Sequence, residues 1–251
     1  MMARSGLRRK LLAALPLAVV AMLIAASPGS ADPRPSGPDV SGWQHPSGAP
    51  IDWFAVKSAG HDFALVKATE GTNYVNPHFQ QDTASMRAAG VLRGAYHFPR
   101  FDQNNPEEQA LFYVQNVFQQ NVLGSLPPIL DVERSNGMPA DVIINWMHRW
   151  LTTVKVLTGR NPIVYTCPGF WKYEVANSNQ FTSYPLWIAD WTGSPQPELV
   201  GGWPNWVFWQ QTDRANIPGI DAPSDSNVYN GDMGPLMVWA NTPYYISMGS
   251  S

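Results

Sequence analysis

Short apolar runs, most of them with little polar interruption, recur along the chain between turn residues. They are PDVSGW (38–43), FALVKAT (63–69), LRGAYHF (92–98), PPILDVE (127–133), PIVYTC (162–167), LWIADW (186–191), WVFWQQT (206–212) and SNVYNG (226–231). They are rich in Val, Ile, Phe, Tyr and Trp and too continuous for half-exposed strands, so they predict eight strands covered on both faces. Between the first six the pattern turns helical, as in PHFQQDTASMRAAG, NPEEQALFYVQNVFQQ and MPADVIINWMHRWLTTVKVL, each followed by Gly or Asn. Between the last three it holds Pro, Gly and Asn instead. The order predicts an α/β fold, an irregular TIM-like β/α barrel of about five β/α units followed by three strands. An open doubly wound sheet is the alternative, but no Gly-rich phosphate loop follows the first strand.

The N-terminus has its own pattern. MMARSGLRRKLL is basic and lacks acids, LAALPLAVVAMLIAA is apolar, and SPGSADP ends in small residues and Pro. Residues 1–31 therefore read as a secretory signal, removed near Ala26 or Ala31, and the protein is expected to be secreted, extracellular or wall-associated. Residues 32–36 read as an extended lead-in, 37–240 as one catalytic domain and 241–251 as a weakly structured tail. Losing residues 1–31 takes four of the 16 basic residues and none of the 19 acids, which moves the formal charge from −3 to −7. That sign argues against nucleic acid and against a membrane surface as partners once the signal is gone. The lone Cys167 excludes an intramolecular disulfide. A monomer is the default expectation.

Chemistry concentrates in PPILDVE. Alternation puts Ile129, Asp131 and Glu133 on one face of a strand and Leu130 and Val132 on the other. In a barrel, the C-terminal end of that strand opens at the active-site mouth. Two anions crowded at the rim of an apolar core raise at least one pKa, as a general acid requires; a solvated strand-end pair is the plainer reading. Asp39 lies in the first strand and Asp225 at the start of the last. Closure makes those strands neighbours, so both acids are expected to face the Asp131–Glu133 pair.

Trp43, Tyr96, Tyr165, Trp187, Trp191 and Trp209 sit near strand ends, where flat rings suit sugar faces. Alternation lets only one of Trp187 and Asp190 face the pocket, and Asp190 is favoured; Tyr96 is favoured over His97. Tyr96, Tyr165, Asp190 and Trp209 are thus the expected substrate-binding residues. Lys67 has two readings, neutralising the carboxylates or pairing with Glu70. The five His residues show no H-E-x-x-H and no helical ligand pair, so no His-based zinc site is expected.

The ordered set PDVSGWQ, LVKATEGTNY, RGAYHF, ILDVE, PIVYTC, LWIADW, WQQT and DSNVYNG resembles the glycoside hydrolase family 25 lysozymes, the Chalaropsis-type N,O-diacetylmuramidases, across nearly the whole domain. The resemblance implies hydrolysis of the β-1,4 bond between N-acetylmuramic acid and N-acetylglucosamine in peptidoglycan, with no metal or organic cofactor. It also implies Glu133 as proton donor and Asp39, Asp131 and Asp225 as the site's other acids. Where the family has V-D-x-N this chain has Ser224-Asp225-Ser226-Asn227, and Asp221 competes with Asp225 for that place. A metal-dependent hydrolase using the same acids and a non-catalytic glycan-binding protein are the alternatives. Retention or inversion of configuration is left open.

Overall fold

The computed structural model describes residues 34–118 and 123–243. The expected signal and most of the expected tail lie outside them. Eight strands form a closed ring: β1 (Ser36–Val40), β2 (Phe63–Glu70), β4 (Leu92–Phe98), β5 (Ile129–Asp131), β6 (Ile163–Thr166), β7 (Leu186–Ala189), β8 (Phe208–Ala215) and β9 (Ser224–Tyr229). Neighbours from β1 through β8 run parallel, while β9 is antiparallel to both β8 and β1 and closes the ring between them. Helices α1 (Trp53–Ser58), α2 (Phe79–Ala89), α3 (Pro106–Val117), α4 (Ala140–Thr158) and α5 (Pro168–Glu174) follow β1, β2, β4, β5 and β6. This is the expected irregular barrel, with five β/α units and then three strands.

Two apolar layers divide the strands by parity. Phe63, Leu65, Tyr96, Ile129, Ile163, Tyr165, Trp187 and Phe208 fill the barrel interior. Ala64, Val66, Leu130, Val132, Val164 and Ile188 face outward into the layer beneath the helices. In the interior Gly94 is required by space: a Cβ there would collide with Leu65 and press on Ile129. Helix α4 shows how the outer layer is written in sequence, with Ile143, Trp146, Met147, Trp150, Leu151 and Val154 forming its buried stripe. The helix ends where Gly159 takes a left-handed conformation with φ 67°.

Two elements were not expected from the pattern. A two-residue strand β3 (Tyr74–Val75) folds back antiparallel on the end of β2 and raises one wall of the mouth. Helix α6 (Met233–Ala240) places Leu236 and Ala240 in the interior cluster, alongside Phe63 and Leu92 from strand starts, and so closes the barrel floor. Arg160 ties this floor together by donating to the carbonyls of Ser125 and Trp239. Residue 241, where the tail was expected to begin, is still part of the fold. Asn241 caps α6 and its side-chain oxygen accepts from the Gly124 N–H at 2.9 Å. Among the described residues no helix is long and apolar enough to cross a membrane.

Candidate active site

The barrel mouth holds a cleft of about 320 Å³ lined by Asp131, Glu133, Tyr96, Lys67 and Trp43, among others. Strand β5 is only three residues long, so Asp131 is its last residue and Glu133 projects just beyond it. Glu133 is open to solvent through the cleft, whereas Asp131 is buried. Oδ1 of Asp131 has no hydrogen-bond partner.

Opposite Asp131 in the register of the sheet stands Tyr165, and opposite Tyr165 stands Trp187. In-register residues of parallel neighbours share a face, so these three side chains converge inside the barrel. Asp39, near the end of β1, has Asp225 as its cross-strand partner on β9. Because β9 is antiparallel, its first residues lie at the mouth, which is why an acid at the start of the last strand meets one near the end of the first. Asp221 is exposed on the preceding loop and is not paired with Asp39.

Amide side chains connect the acids. Oδ2 of Asp39 accepts from Nε2 of Gln210 and from Nδ2 of Asn227, both at 2.8 Å. Oδ1 of Asn227 accepts from the Trp187 indole at 2.8 Å, and Oε1 of Gln210 accepts from the Tyr165 hydroxyl at 3.1 Å and the Trp191 indole at 3.2 Å. Both amides are thereby oriented with their N–H groups toward Asp39.

Electrostatics follow from burial and crowding. Burial, then the charge of Asp39 and the hydrogen bond with it, together push Asp225 up to about 8. Burial also raises Asp39, to about 6, against the opposing hydrogen bonds of Asn227 and Gln210. At neutral pH the two acids therefore share a proton, with Asp225 its stronger holder. Burial and then the charge of Glu133 hold Asp131 well above the usual carboxylate range, with Lys67 pulling the other way. Glu133, although it opens on the cleft, is raised by desolvation of its carboxyl among the cleft walls, against the charges of Arg134 and Lys67. Lys67 fulfils both of its readings: Nζ donates to Oε2 of Glu70 at 2.7 Å, and its charge acts on Asp131 and Glu133.

Not every expected residue faces this cleft. Tyr96 lines it, and His97 points outward, as expected, bonding Thr69 and Gln109. Asp190 does not. Its carboxylate turns to the outer side and accepts the backbone N–H groups of Thr192 and Glu198, holding a loop, while Trp187 takes the inward position. Trp209 is likewise in the outer layer, donating to the Asp190 carbonyl and packing on Trp206, and its neighbour Gln210 faces in. Strand parity is the cause in both cases: Trp187 pairs with Phe208 and Ile188 with Trp209, so alignment with Tyr165 and Asp131 assigns Trp187 and Phe208 inward. Gln210 was never singled out in the sequence, and Asn227 was only matched; register was the signal that could have found both.

A closed β/α barrel with two crowded pairs of carboxyl groups at its C-terminal mouth is the arrangement of a glycoside hydrolase. The sequence profile of glycosyl hydrolases family 25 matches residues 38–220, and the chain belongs to that family. It is 33% identical over 215 residues to lysozyme M1 of Streptomyces globisporus, an alignment covering 82% of this chain and 71% of that one. It is 32% identical over 211 residues to the N,O-diacetylmuramidase of Chalaropsis sp, covering 80% and 96%. The crystal structure of the lysozyme from Streptomyces coelicolor superposes with a TM-score of 0.77 at 32% identity, covering 84% of this chain and 98% of that one. This chain is a glycoside hydrolase.

Proposed function

We propose that this protein is a secreted lysozyme that hydrolyses the β-1,4 bond between N-acetylmuramic acid and N-acetylglucosamine in peptidoglycan. The observation that carries this reading is the juxtaposition of Asp131 and Glu133 at the end of β5 with the Asp39–Asp225 pair at the β1–β9 seam. Family membership and the names of its relatives supply the substrate, and the basic and apolar N-terminal run supports action outside the cell.

In this reading Glu133, the acid open to the cleft, protonates the leaving glycosidic oxygen. Asp131 stands behind it in the cleft wall with an elevated pKa, suited to orient the substrate's 2-acetamido group or to tune Glu133. Asp39, held anionic by a proton on Asp225 and by two amide N–H groups, stabilises the positive charge that develops at the anomeric carbon.

Glu133→Gln removes the transferable proton while keeping size and shape. Clearing of purified peptidoglycan is expected to fall by about 10²- to 10⁴-fold with the fold intact. Wild-type-like turnover would remove Glu133 from its role. Reducing-end analysis of wild-type digests should show muramic acid ends; glucosamine ends would make the enzyme a glucosaminidase. Full activity in a strong chelator is expected, because the inward face of Asp39 already meets amide donors.

A further inference from the structure

A second cavity has a volume of about 560 Å³. Its lining comes from the loop after β4 and from the segment that leads from β5 into the first turns of α4. Both follow C-terminal strand ends, so the cavity lies on the same side of the barrel as the site. Met138 and Val142 give it accessible apolar surface backed by the buried rings of Phe101 and Trp146, and Asp102, Asn104 and Asp141 are polar groups around that wall.

The wall is preformed. The rings of Phe101 and Trp146 meet edge to face at 5.0 Å, and the Trp146 indole donates to the Gln103 carbonyl at 3.1 Å. The Phe101 N–H donates to Oδ1 of Asn136 at 3.2 Å, which fastens one loop to the other. The cavity is also tied to the cleft. Arg100 binds Asp102 at 2.8 Å on the cavity side and lies 3.9 Å from Glu70, which lines the cleft. No Lys or Arg lines the cavity itself, although Arg100 and Arg149 bind its Asp102 and Asn104 from outside, and Asp141 has no ion-pair partner among the described residues. A ligand seated here meets apolar surface, amide groups and an unneutralised carboxylate.

We infer that this cavity is an accessory site for the peptide attached to the glycan, binding a short, amide-rich chain whose free amine is held by Asp141. The inference rests on the lysozyme reading. Muramic acid carries its peptide through the lactyl group, so a glycan lying in the cleft projects peptide over the rim, and the diamino acid of that peptide supplies the cation. The apolar wall takes its aliphatic portion, and the Glu70–Arg100–Asp102 chain forms the rim between the two sites.

The test compares peptidoglycan bearing uncross-linked peptides with the same glycan stripped of them by an amidase. Two variants at exposed positions change the cavity lining: Asp141→Lys reverses its charge and Val142→Trp fills it. On peptide-bearing glycan both are expected to raise KM by about three- to tenfold, about 1 kcal/mol, with kcat and the rate on stripped glycan unchanged. Equal rates for variants and wild type on peptide-bearing glycan, or equal losses on both substrates, would overturn the inference. A second measurement is independent of turnover. The free stem peptide, titrated into the Glu133→Gln protein, should shift amide resonances of residues 101–104 and 141–146; their absence overturns the accessory site whatever becomes of the catalytic assignment.

Discussion

Asp225 shows how a single side chain acquires a role that its type does not carry. Burial and the nearby Asp39 raise its pKa to about 8, so the folded protein holds a proton there that the unfolded chain releases near 4. Over that window the native state binds more protons than the unfolded one, and the group's contribution to stability falls as pH rises. Asp225→Asn keeps a neutral hydrogen-bonding group in place. It is expected to raise Tm at pH 7, by about 2–4 °C for each kcal/mol recovered, with the gain vanishing below pH 4 and activity reduced. Thermal scans at pH 3.5 and 7 check this. Lys67 acts in the opposite sense, its charge lowering both Asp131 and Glu133. Lys67→Met should therefore lift their pKa values and move the alkaline limb of the kcat/KM profile to higher pH, because the acid stays protonated longer. A limb that stays put or moves down would contradict that coupling. Asp131, Glu133, Asp39 and Asp225 were readable as residues because acids in apolar strands are conspicuous. The inward amides Gln210 and Asn227 were not, because nothing in their type marks them as partners of a carboxylate.

At the scale of elements, the periodic patterns were the most legible. The stripe of α4 and the parity of β2, β4 and β5 follow from spacings of 3.6 and 2. Trp150 lies in that stripe, fully buried, with the His97 ring stacked 5.5 Å away and Tyr113 beside it. Trp150→Ala removes the contact shared by α3, α4 and β4, and a loss of about 3–5 kcal/mol is expected in urea unfolding. A cost below 1 kcal/mol would mean that the layer collapses around the gap. Short elements escaped the pattern. Two residues of β3 carry no period, and α6 is apolar nearly all round, so it shows no face. In LWIADW alternation left two possible phases, and choosing by residue type put Asp190 on the wrong side; Trp209 in WVFWQQT was marked by its ring alone and faces outward. A carboxylate can be satisfied by loop N–H groups on the outer face, as Asp190 is, so type does not decide the phase.

For the molecule as a whole, closure does the deciding. The antiparallel β9 brings Asp225 to the mouth, and α6 seals the opposite end. A chain ending at residue 231 would leave the interior residues Phe63, Leu92 and Phe208 without the cover of Leu236 and Ala240. Its Tm is expected to fall and its binding of an apolar dye to rise, while unchanged melting would show that α6 is dispensable. By itself the sequence determined the strands and major helices, the barrel order and the four acids, because these depend on local periodicity and on residue type. Only the tertiary structure decided which phase of β7 and β8 faces inward, that the last strand runs backward, and that Gln210 and Asn227 hold Asp39 beside Asp225. Those outcomes depend on inter-strand register, burial and distances between residues far apart in the chain, which no local pattern encodes.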